Sequence, residues 1–266
     1  MADTLPVISV VTPSLNQGRF IEQTLRSVLD QDYPHLEYFV IDGGSTDGTL
    51  DILREYENRL QWTSEPDRGQ ADAIKKGFAR CRGKILAWLN SDDYYEPGAL
   101  RTIGQFFADH SDAELVYGDY FLEFEDGHRE LRRKIDFDPD IFVYAYQMIA
   151  QPAAFWRRSA YEAVGGIAPA LKFSMDYNLF IRLARRRGPV HLSVPLATFR
   201  LHPSSKSRTL RDQAHAEMVQ IQKNLGLYPR FPRLKRLFCR AKTLHRFRCE
   251  LGQFKMGSEY RDKENT

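Results

Sequence analysis

Cysteine is scarce in this chain. Its 266 residues hold three, Cys81, Cys239 and Cys249, scattered and without CxxC spacing. Such a set excludes a disulfide framework and points to a reduced, cytosolic setting. No run of 18 apolar residues occurs, so no membrane-crossing helix is expected. The opening MADTLPVISVVTPS has no basic stretch ahead of its short apolar run, which argues against a secretory leader. Three common site motifs are missing as well. GxGxxG does not follow the first strand-like run, where the sequence is TPSLNQGRF, and that counts against a dehydrogenase. GxxxxGK[ST] is absent, which counts against a P-loop enzyme, and no HExxH or Cys/His cluster suggests zinc.

Acidic residues are missing from one region. Residues 218–249 hold none, against nine Lys or Arg. The whole chain carries +3, so removing those nine leaves −6 on the remainder. A mildly acidic body with a basic tail suggests two jobs. With 42% hydrophobic and 27% charged residues, the composition fits one large soluble domain or two small ones.

What is present alternates. VISVV (7–11) is continuous and β-branched, as in a strand buried on both faces. NQGRFIEQTLRSVLDQ follows with Phe20, Ile21, Leu25, Val28 and Leu29 at helical spacing. LEYFVID (36–42) reads as a second strand; STDGTLDILREYE opens a helix, with Ser45 or Thr46 as its N-cap. LQWTSE, GQADAIKKGFARCRG, KILAWLN and PGALRTIGQFFADH continue the pattern as strand, helix, strand and helix. Four strand–helix alternations with short links predict an α/β fold, a mostly parallel sheet covered by helices on both faces. Ligands of such sheets bind beyond the carboxyl ends of the strands. Beyond Val116 the pattern changes to a hairpin turning at Asp126-Gly127, a helix over 139–146, a strand over 153–156, a short helix ending at Gly165-Gly166, and a helix over 175–188.

The chemistry-bearing segments sit at the predicted strand ends. LAWLNSDDYYEPGAL (86–100) runs from a buried strand straight into Asn90, Ser91, Asp92 and Asp93. Those residue types also make ordinary strand-end turns. As a site, the two carboxylates would suit a hard cation, Mg²⁺ or Mn²⁺, which takes one or two carboxylates plus substrate phosphates. IDGGSTDGT (41–49) is either a turn with a helix cap or a small loop reading a nucleotide through Asp42. In SEPDRGQADAIKKGF (64–78), Arg68 stands before a helix start, a place for phosphate or base as well as for a simple loop.

Taken together these segments resemble family 2 glycosyltransferases of the GT-A, nucleotide-diphospho-sugar transferase fold, of the inverting, non-processive bacterial type. VVTPSLNQGRFIEQTLRSVLDQDYP, VIDGGSTDGT, EPDRGQADAIKKGF and LNSDDYYEPGAL follow the order of that family's nucleotide-sugar half. QPAAFWRRSAYEAVGG, FSMDYNLFIRLA and FRLHPSSKS match its acceptor half. The resemblance implies that Thr12, Pro13 and Asp42 hold the nucleobase, that Arg68 and Asp72 lie near base or phosphates, and that Asn90 and Ser91 contact the donor. It implies a divalent cation on Asp92, with Asp93 and His202 as further metal-side residues and Lys206 near phosphate. The family's usual DxD has Asp where this chain has Asn90, an amide that can bond a ribose hydroxyl but is a poorer metal ligand. Asp176 would be the general base; without the resemblance it reads as an ordinary carboxylate at a helix start. Trp156 is expected to pack beneath the site.

The expected activity is therefore transfer of a sugar from a nucleotide diphosphate sugar, with UDP the first carrier, to a hydroxyl of a glycan or lipid-linked acceptor. The alternatives are a sugar-nucleotide nucleotidyltransferase and a non-catalytic nucleotide-sugar-binding module. The expected division is 1–215 for the GT-A domain, with 1–118 as donor half and 119–215 as acceptor half, and 216–266 as a basic helical extension. In that extension FPRLKRLFCRAKTLHRFRCEL (231–251) places Leu234, Leu237, Phe238, Ala241, Leu244, Phe247 and Leu251 on one stripe. It reads either as an interfacial helix drawn to an anionic membrane or as a helix packed on the domain with solvated charges. No nucleic-acid motif accompanies it. The expected location is cytoplasmic, with the inner face of the plasma membrane as the place for an envelope acceptor. The last ten residues look unstructured.

Overall fold

Side-chain alternation along the first strand divides the core in two. Ile8 and Val10 point to one face and pack with Ile21, Leu25 and Val28; Val11 points to the other, with Ile74 and Phe78. The computed structural model describes residues 5–145, 147–205 and 211–261, with the backbone alone at 211–212 and 249–261. Its first half is β1 (Ile8–Ser14), α1 (Ile21–Leu29), β2 (Leu36–Asp42), α2 (Thr49–Glu55), β3 (Gln61–Ser64), α3 (Gln70–Arg80), β4 (Ile85–Trp88), β5 (Tyr94–Tyr95) and α4 (Ala99–Asp109). The second half is β6 (Leu115–Phe124), β7 (Arg129–Arg132), α5 (Pro139–Tyr144), β8 (Ala154–Arg157), α6 (Arg158–Ala163), α7 (Met175–Arg186), β9 (Val190–Leu201), α8 (Arg211–Asn224) and α9 (Pro232–Arg261).

Among the described residues the strands form one sheet in the order β3-β2-β1-β4-β8-β6-β9-β5, with β7 on the side of β6. The first four are parallel, as the alternation predicts. The chain goes outward from β1 to β2 and β3, then returns to lay β4 on the other side of β1. That reversal is the switch point at which open α/β sheets bind ligands. β1 stays paired with β2 to Ser14↔Asp42, but its pairing with β4 ends at Val11↔Trp88. The two carboxyl ends therefore part, and residues 13–15 and 90–92 line a cleft between them. Beyond β4 the sheet is mixed, with antiparallel β4–β8–β6 and parallel β6–β9.

Helix α3 lies close over β1. A Cβ at Gly77 would stand 2.4 Å from Val11 Cγ1, so the helix approaches as it does because position 77 has no side chain. Beneath the cleft, Trp88 and Trp156 meet edge to face at 5.4 Å, with Phe180 stacked on Trp88 at 6.3 Å. Trp156 is fully buried, below the site as expected and not on its surface.

Several boundaries differ from the sequence reading. α1 starts at Ile21, after a turn in which Asn16 takes φ +53°. α2 starts at Thr49 with Gly48 at φ +86° as its N-cap; Ser45 instead bonds Asp42. The 12-residue β9 has no counterpart in the expected elements, because Pro195 and a register shift opposite Asp119 break its pattern. The border at 215/216 falls inside α8, whose Ile221 is part of the core. α9 runs on to Arg261, where an unstructured end was expected, and residues 262–266 lie outside the described ones. Among the described residues no helix is long and apolar enough to cross a membrane.

Candidate active site

A cavity of about 700 Å³ opens at the carboxyl ends of β1 and β4. Pro13, Ser14 and Leu15 at the end of β1, Asp67, Gly69 and Gln70 at the start of α3, and Asn90 to Asp92 after β4 line it, together with Gln147, Gln151, Ser174 to Tyr177 and His202. Two buried polar atoms of the lining residues, Ser14 Oγ and Gln17 Oε1, have no hydrogen-bond partner among the described residues. Buried polar groups are nearly always bonded, so these two mark where a polar ligand fits.

The turn after β4 divides its two carboxylates. Asp92 faces the cavity, and its Oδ2 is 3.0 Å from His202 Nε2. His202 Nδ1 is held by Ser204 Oγ at 2.9 Å and its ring packs on Phe20. Asp93 is fully buried: its Oδ1 accepts the Arg200 N–H at 3.0 Å and its Oδ2 accepts Asn90 Nδ2 at 3.3 Å. Burial and the neighbouring Asp92 charge push the Asp93 carboxyl well up. Asp93 thus belongs to the frame and is turned away from the cavity, which leaves Asp92 as the turn's accessible carboxylate. Asn90 is a junction. It accepts from Gln70 Nε2 at 2.7 Å and donates to Gln151 Oε1 at 3.0 Å as well as to Asp93. An amide, unlike a carboxylate, can fill both roles.

Among the described residues no three His, Cys, Asp or Glu side chains converge as a metal cage. Asp92 and His202 offer two adjacent ligands. That fits a hard cation that keeps waters and takes its remaining ligands from substrate phosphate.

Across the cavity, α7 presents Asp176 in its first turn. Asp176 Oδ1 accepts the Tyr177 N–H and Oδ2 accepts Gln147 Nε2, both at 2.7 Å. Burial pushes its carboxyl up, against these bonds, and the charge of Glu217 adds to the rise. Glu217 caps the segment ahead of α7, accepting the N–H groups of Lys172, Phe173 and Ser174 at 2.9–3.0 Å. Gln147 is itself tied down, since Lys134 Nζ donates to its carbonyl at 3.1 Å. Lys134 is 5% exposed, and burial brings its ammonium down to about 7.

The remaining expected donor residues divide. Pro13 and Ser91 line the cavity. Thr12 lies one layer down, bonded to Tyr38 OH at 2.9 Å. Asp42 is fully buried, and its carboxylate is taken by the Gly44 and Ser45 N–H groups and the Ser45 and Ser64 hydroxyls. It shapes the 42–45 loop and does not reach the cavity. Arg68 is 87% exposed at its side chain and pairs with Asp72 at 3.1 Å, while its neighbours Asp67 and Gly69 face inward. Lys206 lies outside the described residues. Ser14, Gln17, Gln147, Gln151 and Lys134 line the cavity without having been expected there. Neutral amides and a lysine within a basic run carry no signal of their own; position relative to a strand end singles out Ser14 and Gln17 alone.

The sheet order and the cleft at the switch point, with Asp92 and Asp176 both on its lining, are those of a GT-A glycosyltransferase fold. The chain belongs to glycosyl transferase family 2, whose model matches residues 9–165. Residues 9–165 include Asp92 but stop short of Asp176 and His202. A putative teichuronic acid biosynthesis glycosyltransferase, TuaG of Bacillus subtilis, is 40% identical over 48% of this chain and 52% of its own length. The chain thus spans about half the length of that relative. A PGL/p-HBAD biosynthesis glycosyltransferase of Mycobacterium bovis is 27% identical over 84% of this chain and 87% of its own. Among solved structures, S. aureus TarS 1-349 with UDP-GlcNAc superposes with a TM-score of 0.67 at 18% identity, over 81% of this chain and 65% of that one. The mannosyltransferase PcManGT of Pyrobaculum calidifontis, in complex with GDP-Man and Mn²⁺, gives 0.62 at 17%, over 93% and 76%.

Proposed function

We propose that the chain transfers a sugar, with inversion, from a nucleotide diphosphate sugar to a hydroxyl of a glycan or lipid-linked acceptor. One observation carries the reading: the Asp92–His202 pair and the Gln147-held Asp176 open onto the same cavity at the switch point. The nucleoside goes against Pro13, Ser14 and Gln17, where the unpartnered Ser14 Oγ and Gln17 Oε1 supply acceptors for base or ribose. Asn90 and Ser91 take the ribose side, and Asp72 with Arg68 stays at the rim, outside the cavity wall. Asp92 and His202 would hold a divalent cation, Mn²⁺ or Mg²⁺, whose charge would offset that of the leaving diphosphate.

Asp176 takes the proton of the acceptor hydroxyl. The acceptor oxygen forms its bond to the anomeric carbon as the bond to the diphosphate oxygen breaks, so configuration inverts and no covalent enzyme intermediate is needed. A carboxyl raised by burial is a better base near neutral pH than an ordinary aspartate. Tyr177 N–H and Gln147 hold its two oxygens and so fix its direction.

UDP-sugar is the first donor to test, as in the TarS complex. The names of the two relatives support a role in building a cell-envelope polysaccharide or glycolipid. Residues 1–118 form the donor half and 119–226 the acceptor half, and we move the start of the extension from 216 to the link after Gly226, where α8 has ended. The working location is the cytoplasmic side, at the inner face of the plasma membrane. Incubation with UDP-, GDP- and dTDP-sugars and Mn²⁺ tests the activity: release of a nucleoside diphosphate, with a product of opposite anomeric configuration by NMR, is expected. Release of pyrophosphate, or retained configuration, would overturn it.

A further inference from the structure

α9 has two faces of different character. One is pinned to the body. Lys235 pairs with Asp140 at 3.0 Å, Lys242 with Asp138 at 2.6 Å and Arg246 with Asp138 at 3.6 Å. Between these pairs Cys239 is fully buried and Thr243 is 9% exposed. Positions 235, 239, 242, 243 and 246 recur at helical spacing, so this face looks toward α5 and the acidic residues just ahead of it and at its start. Phe247, expected on the apolar stripe, packs against the core from here.

The other face carries Leu234, Leu237, Phe238 and Leu244 of the stripe uncovered, with Phe231 just ahead of the helix. Phe231, Leu234, Leu237, Phe238 and Leu244 are 61–66% exposed. They account for five of the nine large apolar side chains exposed among the described residues. Arg230, Arg233, Arg236, Arg240 and Arg248 are exposed around them. The three cations with carboxylate partners, Lys235, Lys242 and Arg246, are those of the inner face. No acidic residue occurs from 218 to 249.

We infer that the outer face of α9 lies in the headgroup layer of a bilayer bearing anionic lipid, with the five apolar side chains inserted and the arginines on phosphates. The occupant follows from the charge and the shape. A single row of leucines and phenylalanines on a helix fits a shallow, deformable apolar layer, and arginines beside it reach outward from their stems to anionic headgroups. The ion pairs on the inner face use up the cations that would otherwise pull the helix off the body. The helix therefore presents its stripe as part of a folded surface. The inference is independent of the donor, the acceptor and the identity of the base.

The full chain is sedimented with vesicles of phosphatidylcholine containing 30% phosphatidylglycerol, and with phosphatidylcholine vesicles alone. Binding to the anionic vesicles is expected to be at least tenfold tighter and to fall as salt rises. The double variant Leu237→Ser/Phe238→Ser, altered at exposed positions only, is expected to lose at least tenfold in vesicle affinity, as is Arg233→Ser/Arg236→Ser/Arg240→Ser. Donor affinity measured on the same preparations should stay at the parent value, which separates a failed surface from a failed site. Equal sedimentation of parent and variants, no sedimentation of either, or a concentration-dependent dimer abolished by Leu237→Ser/Phe238→Ser while vesicle binding persists would overturn the inference.

Discussion

His202 and Asp92, 110 residues apart, face each other with Nε2 and Oδ2 at 3.0 Å. The chain crosses the sheet several times between them, and Arg200 holds the junction by donating from its guanidinium to the Asp92 carbonyl and from its backbone to Asp93. If this pair holds the cation, Asp92→Asn should abolish the Mn²⁺-dependent part of donor binding. His202→Ala should weaken it by about tenfold or more without abolishing it. Calorimetric titration of donor with Mn²⁺ and with EDTA reads both. Unchanged Mn²⁺-dependent affinity in Asp92→Asn would remove the pair from that role.

Asn90→Asp would restore the residue usual in the family, and here it should harm the protein. Asn90 Nδ2 donates to two oxygens, one on the buried Asp93. A carboxylate in its place loses both bonds and sets a second charge against Asp93. Breaking such buried pairing costs about 1–3 kcal/mol. A fall in Tm with no gain in Mn²⁺ affinity is expected; tighter Mn²⁺ binding at unchanged Tm would show that the amide is incidental.

Much of this was legible in the sequence, for stated reasons. The β-branched run of β1 and the 3.6-residue rhythm of α1 and α4 depend on local burial patterns, so they survive into the structure. The abrupt polar turn after Leu89 marks a strand end wherever it occurs. Asp42 misled because a carboxylate at a strand end can face the ligand or brace its own loop, and spacing is the same in both cases. Asp93 misled likewise: adjacent residues after a strand point to opposite sides, and the sequence does not say which side is the cleft. Gln147 is visible only once α7 and the segment after α5 are brought together in space.

Gly77 gives a stability test at a position that does not itself line the cavity. Gly77→Ala puts a methyl 2.4 Å from Val11 Cγ1 and forces α3 away from β1. Overpacking of this kind costs about 1–3 kcal/mol, offset by about 1 kcal/mol of helix propensity. A Tm lowered by a few degrees is expected by calorimetry. A raised Tm would mean that the helix can shift freely over the strand.

Asp176→Asn should bind donor with the parent affinity and transfer sugar about 10²–10⁴-fold more slowly, the usual share of a general base. Side-by-side donor titration and initial-rate measurements decide it. Near-parent turnover would move the proton to another group.

Gln147→Leu examines the same carboxylate through its pH dependence. Gln147 Nε2 donates to Asp176 Oδ2 at 2.7 Å, a bond that favours the ionised form, while burial favours the neutral one. Removing the donor leaves burial less opposed, so the carboxyl rises further. If Asp176 is the base, transfer requires its ionised form, so the acid limb of kcat should move to higher pH, by about 1 unit if the bond is worth about 1.4 kcal/mol. Above that limb kcat should return close to the parent value, because the base is then ionised in both proteins. The rate–pH profile at saturating donor separates this from mere loss of packing. A uniform drop at every pH, with the acid limb in place, would show that Gln147 supports the fold around Asp176 without tuning its proton.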